Sequence, residues 1–194
     1  MSRDPLQKMF NLFAPVFHVL DLFSVARHNR ENAISILGRK MDLSGKKVLD
    51  IGCGTGIWSN LFRLHGATVT GIDFAPKMIG IAKKKYPGIG FAVADAGAIA
   101  DYPDDSFDIA TLSFVLHDIV DRSGLLREMR RISQKLVIFD YGGDIPFIPA
   151  VFEFFEGNRY KDFLNRIERE LEGTYGSYER IGLAKGGALY IAEK

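Results

Sequence analysis

Between residues 50 and 56 the chain reads D-I-G-C-G-T-G, an acid followed by three glycines at alternating positions. Gly52, Gly54 and Gly56 carry no side chain and reach backbone angles closed to other residues, so a turn built from them lets a ligand lie against the main chain. Two more acids follow. Asp73 lies about twenty residues beyond Gly52, the separation at which a strand-turn-helix unit offers a carboxylate to the hydroxyls of a ribose. Asp95 closes a later apolar run, where a carboxylate accepts an adenine amino group or simply caps the helix behind it. Three further groups, His18, His117 and Asp118, have the right chemistry for moving a proton.

The spacing narrows the ligand. A dinucleotide turn reads G-x-G-x-x-G, but the third glycine would fall at position 57, where Ile57 stands. No G-K-[ST] follows either, so the phosphate-binding P-loop is excluded. The turn holds no arginine or lysine, and Asp50 opposes a phosphate while suiting a ligand with a cationic part. Cys53, inside the turn, reads as a small packing residue rather than a reactive thiol. No cluster of histidine and cysteine suggests a metal.

These residues need a scaffold that brings strand ends together. Val48, Leu49 and Ile51 form a buried strand of the kind found in parallel sheets, and Ile57–His65 has helical periodicity. Strands are expected again at Ala67–Asp73, Ile89–Ala94, Phe107–Phe114 and Lys135–Asp140, with helices at Lys77–Tyr86 (Pro76 at its start) and Ser123–Ile132 between them. Five alternations of this kind predict a doubly wound, Rossmann-like α/β sheet. A helix over Val151–Glu172 and an antiparallel hairpin, Tyr178–Leu183 with Ala188–Ala192, complete a mostly parallel seven-stranded sheet. Residues 1–44 form an N-terminal helical extension and 45–194 the ligand-binding part of a single domain. Phe10, Phe13, Phe17 and Leu20 share one face of the extension, which reads as a core-facing helix or as a lid over the ligand.

The 194 residues suit one domain with a real core. A formal net charge of +1, with no basic stripe visible, gives no reason to expect nucleic acid. One cysteine excludes an internal disulfide and suits a reducing, cytoplasmic setting. The apolar run Met9–Phe23 is interrupted by Asn11, Pro15, His18 and Asp21, whereas a spanning helix needs about 20 apolar residues, so neither a membrane span nor a cleaved leader is expected.

Over about Val48–Lys194 the chain resembles the class I S-adenosylmethionine-dependent methyltransferases. Four motifs carry the resemblance in order: V-L-D-I-G-C-G-T-G, G-I-D-F-A-P-K-M-I, A-D-A, and D-S-F-D-I-A-T-L-S-F-V-L-H-D. It is most similar to the small-molecule branch that includes quinone and sterol methylating enzymes. There an A-P-x-Y-D element precedes the domain; here Phe13-Ala14-Pro15-Val16-Phe17-His18 has Phe17 and His18 in place of the tyrosine and aspartate. Gly97 likewise stands where an acid is frequent. The resemblance implies S-adenosyl-L-methionine as cofactor. Asp50, Gly52, Cys53, Gly54 and Gly56 would surround its methionine part, Asp73 its ribose, Phe74 and Met78 the adenine face, and Asp95 and Ala96 the adenine edge. Ser113 and Phe114 would lie beneath it. The terminal hairpin would place an antiparallel strand beside the fifth.

The expected reaction is a one-step displacement, in which a nucleophile on a small, apolar acceptor attacks the sulfonium methyl in line and a neutral thioether leaves. His117, Asp118 and His18 are the candidate bases, His117 the best placed because loops at strand C-termini form the site; it also reads as a histidine packed at a helix start. A monomer or homodimer is expected. Two readings compete: a cofactor-binding regulatory module without chemistry, and a nicotinamide-dependent oxidoreductase, which Ile57 and the phosphate-free turn disfavour.

Overall fold

The computed structural model describes Lys8, Asn11, Leu12 and residues 25–143 and 159–194. His18, the phenylalanines at 10, 13 and 17, and Phe147, Phe152, Phe154 and Phe155 lie outside the described residues, as does the start of the helix expected from Val151. Within them the chain runs α1 (Val25–Lys40), β1 (Lys47–Ile51), α2 (Ile57–Leu64), β2 (Thr68–Asp73), α3 (Pro76–Lys85) and β3 (Gly90–Val93). It continues through β4 (Phe107–Ser113), α4 (Arg122–Ile132), β5 (Ser133–Tyr141), α5 (Arg159–Tyr175), β6 (Tyr178–Gly182) and β7 (Gly187–Glu193). Short 3-10 turns cover Ala96–Asp101 and Leu116–Asp118.

The seven strands form one sheet in the order β3-β2-β1-β4-β5-β7-β6. The first five are parallel, while β7 runs antiparallel to β5 and to β6. The order reverses between β1 and β4, and in such sheets the crevice at the strand C-termini beside that reversal is where ligands bind. The expected fold class and the antiparallel insertion beside β5 are therefore both present.

Alternating residues of the central strands feed two cores. Leu49, Ile51, Leu136 and Ile138 join α4 and α5 on one face, whereas Val48, Val137 and Phe139 join α1 and α2 on the other. Burial on both faces explains why these strands read as continuous apolar runs. Trp58 of α2 fills the second core, and its indole N–H donates to Thr111 Oγ1 at 2.9 Å, so the ring is buried without an orphaned donor. Asn29 of α1 donates to the Ala184 carbonyl at 2.7 Å, which ties the helix to the β6–β7 hairpin at the ligand-binding edge.

Several boundaries shift by one to three residues from expectation, and two of the shifts have a local cause. The fourth strand ends at Ser113, because Phe114 takes a left-handed conformation (φ 55°) that breaks the ladder. The fifth begins at Ser133, directly after α4, so no linker separates them.

Candidate active site

The turn after β1 is held by its own backbone. Cys53 N–H donates to the Ile72 carbonyl at 2.9 Å, and Gly56 N–H donates to the Cys53 carbonyl at 2.9 Å. All three glycines have positive φ, but they serve different ends. A methyl group on Gly52 would collide with the Val115 side chain, and one on Gly56 would come within 2.7 Å of the Phe91 ring. Those two are glycines because neighbours pack on them. At Gly54 a methyl group would meet no atom of the described residues within 4 Å, so this is where the turn leaves room for a ligand. The Cys53 thiol is buried beside Gly71, and burial raises its pKa, so the packing reading holds.

Asp50 is wholly buried. Its Oδ2 accepts from Ser59 Oγ at 2.5 Å, while Oδ1 has no partner among the described residues. Burial pushes its pKa up to about 7; Ser59 pulls down, Asp73 pushes up and Arg30 pulls down. Asp73 is also buried, with its pKa raised by burial against the opposing pull of two backbone N–H groups. Those groups are Gly54 N–H on Oδ2 at 2.9 Å and Ala75 N–H on Oδ1 at 2.8 Å. Each carboxylate oxygen has further acceptor capacity, so Asp73 shapes the turn and still has lone pairs for hydroxyls.

Asp95 takes the capping role: its Oδ1 accepts from Gly97 N–H at 2.9 Å at the start of the Ala96–Asp101 turn. Asp95 and Ala96 are half-buried just beyond β3, and the Ala94 N–H donates to the Asp73 carbonyl at 3.0 Å, which holds this segment against the end of β2. Phe74 is half-buried, whereas Met78 is packed with Ala75 in a small core of its own. Ser113 and Phe114 lie half-buried at the end of β4. The Phe114 ring meets Phe139 and Tyr141 edge to face, with centroids 4.7 and 5.3 Å away.

Reading the sequence did not single out Arg30. From α1, its Nε donates to Ser113 Oγ at 3.5 Å and its guanidinium lies 5.8 Å from the Phe114 ring centre, close enough to act on Asp50. It brings a cation beside the acids of the turn. No local pattern betrays it, because Arg30 and Ser113 meet only through the fold.

His117 is not an exposed base. It is 3% exposed, with Nδ1 2.8 Å from Asp140 Oδ1. Asp140, wholly buried, also accepts from the backbone N–H groups of Leu116 (3.1 Å), His117 (3.4 Å) and Tyr141 (2.8 Å). An ionised carboxylate only accepts, so Nδ1 carries the proton of that bond and Nε2 faces the other way. There Asp118 Oδ2 lies 3.7 Å off, on a side chain 18% exposed. The Tyr141 and Phe163 rings pack on the imidazole at 4.7 and 6.3 Å. The expectation of a histidine packed at a helix start is thus met in geometry, with Asp118 nearer to solvent.

The structure therefore gathers Asp50, Gly54, Asp73, Ser113 and Phe114 around one turn, flanks them with Asp95 and Ala96, and sets Asp118 and His117 on the loop after β4. Residues 49–139 match the methyltransferase domain family. That match covers just under half of the chain and agrees with the resemblance to the class I S-adenosylmethionine-dependent methyltransferases. It is 32% identical over 168 residues to the demethylmenaquinone methyltransferase of Paenarthrobacter aurescens, covering 84% of this chain and 62% of that protein. It is 35% identical over 103 residues to the ubiquinone biosynthesis O-methyltransferase of Pseudomonas putida, covering 51% of this chain and 44% of that one. The chain thus spans less than two thirds of either relative. A SAM-dependent methyltransferase of Aquifex aeolicus shares the fold, with a TM-score of 0.68 at 19% identity over 92% of this chain and 97% of that one. S-adenosylmethionine is the cofactor that the resemblance implies, and the residues present fit it. Asp50 offers a buried oxygen without a partner among the described residues, which suits a cationic group and opposes a phosphate, and Gly54 offers clearance. No helix among the described residues is long and apolar enough to cross a membrane.

Proposed function

We propose that this methyltransferase transfers the methyl group of S-adenosylmethionine to a small, quinone-related acceptor. The observation that carries the reading is the buried Asp50 carboxylate, one oxygen of which has no partner among the described residues. Leaving such a group unsatisfied costs about 1–3 kcal/mol or more, a cost that a cationic ligand would offset. The similarity to two quinone-pathway methyltransferases supports the acceptor class.

When bound, the cofactor supplies an electrophilic methyl on a sulfonium. Asp50 would hold the cationic end of its methionine part, Arg30 the carboxylate end, and Asp73 the ribose hydroxyls. The Phe114 ring, packed on Phe139 and Tyr141, would help to exclude water from the same edge of the sheet. Holding an acceptor in line at near-attack distance is worth roughly 7–11 kcal/mol in favourable cases, and it needs no covalent step. Asp118 would take the proton from a protonated acceptor, with His117 positioning it from behind. The extension would serve as a lid: Asn11 Oδ1 accepts from Lys77 N–H at 3.0 Å, at the first turn of α3.

A methyl-transfer assay over quinols, phenols and unrelated small acceptors tests the reading, once S-adenosylmethionine has been seen to raise the melting temperature. Turnover with ring hydroxyls or activated ring carbons is expected; turnover confined to other classes would overturn the acceptor. Asp118→Asn should lower kcat roughly 10²-fold or more, leaving cofactor affinity unchanged. Unchanged kcat would remove Asp118 from the chemistry.

A further inference from the structure

A broad groove of about 1010 Å³ lies between α4 and α5, lined by Arg127, Arg130, Arg131, Arg166, Arg169 and Lys194. Because β7 runs antiparallel to β5, with Glu193 opposite Lys135, Lys194 sits at the edge of the sheet away from the glycine turn. The groove is thus separate from the cofactor site. Three of the six cations are committed to carboxylates. Arg131 pairs with Asp104 and Glu128, Lys194 with Asp105, and Arg166 with Asp162. The acid of the lining, Glu170, is taken by Arg122, which donates to both of its oxygens at 2.9 and 3.2 Å.

Arg127, Arg130 and Arg169 have no carboxylate contact among the described residues, and Arg169 donates only to the Asn165 carbonyl of its own helix, at 3.2 Å. Arg127 stands three and four residues before Arg130 and Arg131, and Arg166 three before Arg169. Like charges at such spacings destabilise a helix. Two neighbouring helices break that rule on the faces they turn to one groove, in a chain whose net charge is only +1. Carboxylates offset Arg131 and Arg166, whereas Arg127 and Arg130, three residues apart, have none among the described residues, and a local rule left broken there points to a ligand.

We propose that this groove binds a compact polyphosphate, as an inorganic chain or as the phosphate end of a nucleotide. Guanidinium forks match phosphate oxygens two at a time, which a single ammonium cannot do. Among the described residues no aromatic ring lines the groove, so the site reads phosphate and not a base. Its cations come from two facing helices and the end of β7 around one open groove rather than running as a stripe along one element, which fits a small anion better than a duplex. The inference is independent of the acceptor and of the methyl-transfer reading.

The test is calorimetric titration of inorganic tripolyphosphate into the full chain at about 0.1 M salt, beside Arg127→Ala/Arg130→Ala/Arg169→Ala. Binding by the native chain and at least about tenfold weaker binding by the variant are expected, with far-ultraviolet dichroism and melting temperature showing that the variant is folded. If the triple variant fails to fold, Arg127→Gln/Arg130→Gln keeps most of each stem and should show the same loss. ATP should bind about as tightly as tripolyphosphate. Three outcomes would overturn the proposal: no tripolyphosphate binding, equal binding by folded variant and native chain, or preference for ATP alone. Tighter binding of a short DNA duplex would also overturn it, by assigning the surface to nucleic acid.

Discussion

Asp50 and Asp140 stand on the two strands that flank β4, both within two residues of a strand end and both wholly buried. The fold treats them in opposite ways. Asp140 collects three backbone N–H groups and an imidazole N–H, so every bond its position allows is made inside the protein. Asp50 has one hydroxyl donor, an oxygen without a described partner, and a pKa raised to about 7 by burial. A saturated carboxylate is a structural tie; it locks the loop after β4 to β5. An under-satisfied one holds energy in reserve for a ligand. The same residue type in matched positions thus divides into framework and site, and only the hydrogen-bond inventory tells them apart.

The comparison breaks most visibly at Asp140. Asp140→Ala would leave buried donors on Leu116, His117 and Tyr141 without an acceptor, and should cost about 3–5 kcal/mol in chemical denaturation. A loss under about 1 kcal/mol would mean that the tie is not structural. Asp50→Asn should do the reverse. It removes a desolvated charge, so stability should hold or rise, while affinity for S-adenosylmethionine falls roughly 10–100-fold. The sign of the pH dependence follows. The folded chain binds a proton at Asp50 up to about pH 7, whereas an ordinary Asp releases it near 3.8. Between those values the unfolded state holds fewer protons, so the Asp50 contribution to ligand-free stability falls as pH rises, and Asp50→Asn should flatten that slope. The smallest effect is expected far from both acids. Lys40 and Glu179 pair at 2.6 Å but are 38% and 51% exposed, so Lys40→Ala should change stability by less than about 1 kcal/mol.

Much of this was legible in the sequence because it rests on local signals. Apolar runs with β-branched residues gave the parallel strands, and the glycine spacing excluded a dinucleotide at Ile57. Three acids near strand ends marked one edge of the sheet. What was not legible depends on residues meeting across the fold. Arg30 reaches Ser113, 83 positions away, and His117 finds Asp140, 23 away. Asp140 looked like the mere end of an apolar run, so His117 read as a candidate base when its Nδ1 was already held. The glycine spacing did not show that Val115 packs on Gly52 and Phe91 on Gly56. Nor is a basic surface visible along the chain, because the arginines of α4 and α5 converge only when the helices pack.

The central claim is that Asp50 is reserved for the cofactor, and the direct measurement is calorimetric titration of S-adenosylmethionine at pH 6 and pH 8 into the native chain and Asp50→Asn. Binding ionises Asp50, so the native chain should bind more tightly at pH 8, and most of that difference should vanish in the variant; Asp73, also raised by burial, accounts for what remains. Equal affinity of the two proteins at both pH values, or no binding by the native chain, would contradict the account.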